Sequence, residues 1–169
     1  MVKKAVKTRP HRITSFELMW NAPVKRMRGP RAQLSVDAIL QAAITMADAE
    51  GLEGLTMAAL AKRLRVAPMA LYRHVPGKTE LIELMSERAL GPPPVLSSGH
   101  WREAIGGWAR ANLESLVARP WLLDAVSRRR TLGPNIMAWL DAALAALARS
   151  GLREQNLIEA VLLIDGHAR

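Results

Sequence analysis

Apolar positions along this chain recur at three- and four-residue steps, the period of a helix face, and nowhere in the two-residue alternation of a half-buried strand. After Ser35, a good N-cap residue, Ile39, Ala42, Ala43, Met46 and Ala47 mark the first such face, with Gly51 read as its stop. Thr56 caps a second, shorter pattern in which Leu60, Ala61 and Leu64 share a face. Arg65, Val66 and Ala67 separate it from Pro68. Proline is most at home in the first turn of a helix, so a third helix begins there. Pro76 and Gly77 end it after about two turns, and Leu81, Ile82, Leu84, Met85 and Leu90 then resume the helical period up to Gly91.

The run "GPPPVLSSG" at 91–99 cannot continue a helix and marks the clearest domain boundary in the chain. Everything beyond it reads as helix. Trp101, Ile105, Trp108, Leu113 and Leu116 suggest one element, 120–130 a shorter one, and 134–150, with Met137, Leu140, Leu144 and Leu147, a third. A fourth begins at Arg153 and is still strongly apolar at Arg169, which reads as a cut helix. The expected architecture is all-α. It comprises an arm at 1–31, a three-helix helix-turn-helix domain at 32–90, the linker at 91–99, and a helical domain at 100–169 that is incomplete as written.

Half of the 169 residues are apolar, enough to bury a core, and the formal charge is +9. Residues 1–31 hold nine Lys or Arg against the single acid Glu17, so the excess belongs to the N-terminal arm. Such an arm suits the phosphates of nucleic acid, an anionic lipid surface, or plain solvation as a flexible leader, and charge alone does not choose among them. The absence of cysteine excludes disulfide frameworks, thiol catalysis and Cys-based zinc sites. No apolar run approaches a membrane span and no secretory pattern opens the chain, which gives the expectation of a cytoplasmic, nucleoid-associated protein with no membrane partner.

The chemistry concentrates in "APMALYRHVPGK", 67–78. Two short helices joined by a three-residue turn and buttressed by an earlier amphipathic helix outline a helix-turn-helix, whose second helix enters the DNA major groove. Such a helix needs a first turn free of bulky charge, so that it can approach base edges, and phosphate donors on its flanks to fix the register. Pro68, Met69 and Ala70 meet the first need. Tyr72, Arg73, His74 and Lys78 offer hydroxyl, guanidinium, imidazole and ammonium donors for the second. Tyr72 would also serve as a packed aromatic with a wet hydroxyl, and His74 as a helix-end cap. Leu71 and Val75, four apart, belong to the core.

The stretch "GLTMAALAKRLRVAPMALYRHVPGKTELIELM", 54–85, and within it "LYRHVPGKTEL", resembles the TetR family of bacterial transcriptional repressors, and its tetracycline-repressor branch in particular. The resemblance covers 35–90. It implies that Pro68, Met69, Ala70 and Tyr72 face bases while Thr56, Tyr72, His74 and Lys78 hold the backbone; separately, the charge of the arm gives the expectation that Arg26, Arg28 and Arg31, nearest the first helix, reach phosphates or an adjacent minor groove. It also implies a ligand-responsive repressor of a palindromic double-stranded DNA operator, a homodimer completed by further C-terminal helices, and release by a small apolar or amphipathic effector. Pro68 and Ala70 stand where some relatives carry hydrogen-bonding side chains and Ala58 where an arginine can read guanine, so direct readout would lean on thymine methyl groups, on Arg73 and on DNA shape. Arg65 occupies a turn position that often holds glycine, and a positive φ there would cost about 1 kcal/mol.

In the family the later helices enclose the ligand, and bundle interiors commonly do so with apolar aromatics. Trp108, Trp121, Met137 and Trp139 are the candidates for that lining, and each also serves as ordinary core. No Ser, His and Asp order, metal-ligand cluster or Gly-rich phosphate loop supports an enzyme, and neither a cofactor nor a metal is expected. The competing reading is a basic helical module that binds anionic membrane or a protein partner without sequence-specific DNA binding.

Overall fold

The computed structural model describes residues 14–20, 34–127 and 131–168. Among them the elements are α1 (Ser15–Trp20), α2 (Val36–Gly54), α3 (Met57–Leu64), α4 (Pro68–Tyr72), α5 (Lys78–Leu90), α6 (Trp101–Ala118), α7 (Trp121–Ser127), α8 (Pro134–Ala148) and α9 (Glu154–Ala168), with no strand. The all-α expectation holds. Element starts follow local chemistry: Ser35 Oγ accepts the Ala38 N–H and Thr56 Oγ1 the Ala59 N–H, both at 3.1 Å, while Pro68 and Pro134 occupy first turns. Gly51, read as a stop, is instead a kink at φ 71 inside α2.

Sequence reading missed α1, which lies within the segment taken as a flexible arm. Its signal is a capping box. Thr14 N–H donates to the Glu17 carboxylate at 2.9 Å and Glu17 N–H donates to Thr14 Oγ1 at 3.2 Å. α1 docks against α5, where the Ser15 hydroxyl donates to the buried Glu83 carboxylate, and Trp20 Nε1 donates to the Leu132 carbonyl at 3.1 Å.

Two hydrophobic clusters form. The first joins α2, α3, α4 and α5 through Ile39, Leu60, Leu71, Val75, Leu81 and Met85, and takes in Trp121, Leu122 and Ala125 of α7. The second joins α6, α8 and α9 through Trp108, Trp139, Ala143 and Val161. The proline run therefore interrupts a helix without ending a core, because α7 folds back across α2 and α5. The linker itself is pinned: Trp139 Nε1 donates to the Gly91 carbonyl at 3.0 Å, and Arg149 Nη1 donates to the Ser98 and Gly99 carbonyls at 2.8 and 3.0 Å.

A second tie crosses the same boundary. The Glu87 carboxylate of α5, almost fully buried, accepts the backbone N–H groups of Asn135 and Ile136 in the first turn of α8, and Asn135 Nδ2 returns a bond to the Glu87 carbonyl at 3.0 Å. A carboxylate at a helix start satisfies otherwise orphaned donors and complements the helix dipole. Gly133 leaves room for it, since a Cβ there would collide with that carboxylate.

Candidate nucleic-acid interface and apolar cavity

The helix-turn-helix is α3, the turn at 65–67, and α4. Arg65 closes α3 in the left-handed region, at φ 55 and ψ 42, and its N–H and that of Val66 return to the carbonyls of Lys62 and Ala61 at 3.1 and 3.0 Å. Leu71 and Val75 are fully buried, which sets the rotation of α4. Pro68, Met69, Tyr72 and Arg73 consequently face out, and Ala70 and His74 are half-buried. Met69 is 71% exposed and Tyr72 44%, the only two large apolar side chains between 34 and 90 so exposed.

The surroundings of this edge are cationic. From Leu55 to Thr79 the chain carries Lys62, Arg63, Arg65, Arg73 and Lys78 and not one acid, and all five are exposed. A surface of one sign beside an uncharged ridge is what phosphate strands flanking a groove require. Thr56 spends a lone pair of its hydroxyl on the α3 cap and keeps its proton to donate. Lys78 is placed differently from the expectation. Its Nζ donates to the Leu52 carbonyl at 3.0 Å, tying the start of α5 to the kinked end of α2, so a phosphate would meet its remaining donors. Arg26, Arg28 and Arg31 lie outside the described residues.

In the second domain a cavity of about 240 Å³ is lined by Trp108, Trp139, Leu132, Val161, and by Leu90 at the very end of α5. Two of the four proposed lining residues are there. The indoles of Trp108 and Trp139 meet edge to face at 6.0 Å, and Trp108 Nε1 donates to the Trp139 carbonyl at 2.8 Å. Trp121 instead packs in the first cluster with its Nε1 on Asp48 Oδ1 at 2.7 Å, and Met137, 38% exposed, does not line the cavity. Both were expected from apolarity alone, which does not say which face of a helix turns inward. Sequence reading missed the aliphatic part of the lining, such as Leu90, Leu132 and Val161, and also a polar pair: Asn112 Nδ2 donates to Asp165 Oδ1 at 2.8 Å, and both line the cavity. Their separation of more than fifty positions leaves no local sequence signal.

Fold and site together define a helix-turn-helix module joined to a helical domain that holds an apolar cavity. Residues 39–85 match the family model of bacterial regulatory proteins, tetR family, and 93–168 match the tetracyclin repressor-like C-terminal domain. The chain belongs to the TetR family of bacterial regulatory proteins, and not to an enzyme family. It is 40% identical over 156 residues to the HTH-type transcriptional repressor DrrR1 of Streptomyces coeruleorubidus, an alignment covering 90% of this chain and 58% of that protein. The structure of ActR from Streptomyces coelicolor in complex with actinorhodin matches with a TM-score of 0.75 at 28% identity, over 82% of this chain and 66% of that one. That of Mycobacterium smegmatis BioQ with its double-stranded DNA operator matches with a TM-score of 0.67 at 25% identity, over 80% and 85%. The chain spans about three fifths of the length of the curated relatives it matches.

Proposed function

We propose that the protein is a ligand-responsive transcriptional repressor that binds a palindromic operator as a homodimer, with α4 in the major groove. The observation that carries this reading is the rotation of α4. Burial of Leu71 and Val75 turns an uncharged edge outward, between exposed cations and within a stretch, 55–79, whose sequence holds no acid. Pro68, Met69, Ala70 and Tyr72 face bases in this reading, and Thr56, Arg73, His74 and Lys78 hold the strands. One α4 of five residues reaches few base pairs, so two copies related by a two-fold axis, each in its own half-site, are needed for useful affinity. Such a protein works in the cytoplasm, and among the described residues no helix is long and apolar enough to cross a membrane.

The effector of this reading is a small apolar or amphipathic molecule that enters the cavity between Trp108 and Trp139. Leu90 lines that cavity at one end of α5, and Lys78, at the other end of the same helix, is joined to the reading helix by the segment 73–77. Anything that displaces Leu90 therefore acts on a rigid lever of thirteen residues. The test is selection of bound duplexes from a random pool, followed by titration of the selected duplex with and without Nile red as an apolar probe. Recovery of a palindromic site whose affinity falls when the probe binds supports the reading. Retention of the chain by anionic vesicles, with no duplex recovered, overturns it.

A further inference from the structure

The reading edge of α4 is short of hydrogen-bond donors. Pro68 has no N–H, Met69 carries a thioether that accepts only weakly, and Ala70 ends in a methyl group. Ala58, exposed on α3, adds another methyl. In the major groove, guanine, adenine and cytosine differ by donors and acceptors, whereas thymine alone adds an apolar C5-methyl group. A ridge whose first turn offers no side-chain donor discriminates there through that group. Met69 is the side chain built to meet it: it is the most exposed large apolar residue between 34 and 90, at 71%, and it lies one turn from Tyr72 on the same edge. Its unbranched thioether also adapts to an irregular contact.

Resting on the DNA-binding reading of α4, we propose that Met69 reads the C5-methyl group of one pyrimidine in each operator half-site. The ligand class is thus a 5-methylpyrimidine, thymine or 5-methylcytosine, in place of its unmethylated counterpart. Two consequences follow from the chemistry. Operator affinity drops when that thymine is replaced by uracil, which removes the methyl and leaves every hydrogen-bonding group intact. Where a half-site carries cytosine at the position, C5 methylation raises affinity, so the protein responds to the methylation state of its DNA.

The experiment takes an operator recovered by selection and replaces each thymine singly by deoxyuridine, measuring Kd by fluorescence anisotropy for the wild type and for Met69→Ala. Burying one methyl group is worth about fourfold in affinity, so one position per half-site should weaken wild-type binding about fourfold, and both together about fifteenfold. Cytosine at that position should bind more weakly than 5-methylcytosine. Met69→Ala, at an exposed position and so without a folding penalty, should still bind the operator but fall below about 1.5-fold discrimination between thymine and uracil. Wild-type affinity that is unchanged by every thymine-to-uracil replacement overturns the proposal, as does a uracil effect that persists at full size in Met69→Ala. Those results leave the DNA-binding reading standing, because duplex was recovered; a pool from which none is retained overturns both.

Discussion

Arg65 is the one non-glycine residue among the described positions with positive φ. In that region the Cβ of an L residue crowds its own backbone, at about 1–2 kcal/mol. Arg65→Gly removes the crowding. Glycine also gives the unfolded chain extra freedom, which takes back about 0.4–1 kcal/mol. The Arg65 side chain is exposed, so little packing is lost with it, and the bonds that close the turn come from backbone N–H groups that glycine retains. The balance is a stabilisation of about 0.5–1 kcal/mol, a rise in Tm of about 1–4 °C for a chain of this size. Thermal unfolding followed by circular dichroism, with urea unfolding to check that the m-value is unchanged, measures it. Arg65→Ala is the necessary control, because it deletes the same charge beside Lys62 and Arg63 but keeps the Cβ. It should gain nothing. Equal stabilisation by alanine and glycine would refute the backbone account and assign the effect to relief of like-charge repulsion.

Glu87→Ala removes the acceptor that caps α8, and should lower stability by about 2 kcal/mol, read as a fall in Tm of about 4–8 °C; Glu87→Gln, which keeps one carbonyl acceptor, should lose less. Deleting residues 1–20 should cost about 1–2 kcal/mol more than deleting 1–13, because it takes the Ser15 hydroxyl from Glu83 and the Trp20 indole from Leu132; equal Tm values for the two would show that α1 adds nothing. Lys78→Ala should weaken binding to all duplexes alike and lower the slope of log affinity against log salt by about one, and an unchanged slope would leave Lys78 only its bond to Leu52. Trp139→Ala should abolish Nile red binding in the cavity while Met137→Ala leaves it intact, since only the former lines the space.

Local chemistry determined most of the N-terminal domain. Ser35, Thr56 and Pro68 each start a helix through bonds, or a missing donor, within their own first turn, and the identity of the next three residues is all such a rule needs. The helix-turn-helix and the outward character of Pro68, Met69 and Tyr72 were legible for the same reason: Leu71 and Val75, one turn apart, had to share the buried side. Even α1 was written locally, in Thr14 and Glu17. What tertiary structure alone decided is which distant surfaces meet. Periodicity marks an apolar face but not its partner, so nothing in the chain pattern said that α7 would fold across the proline run onto α2, that Trp121 would leave the cavity for that core, or that Met137 would stay exposed. The ties of Glu87 to α8, Lys78 to Leu52 and Asn112 to Asp165 join residues 26 to 53 positions apart. A long-range polar bond of this kind forms only after packing has brought its ends together, and that is why none of these ties could be read from the chain pattern.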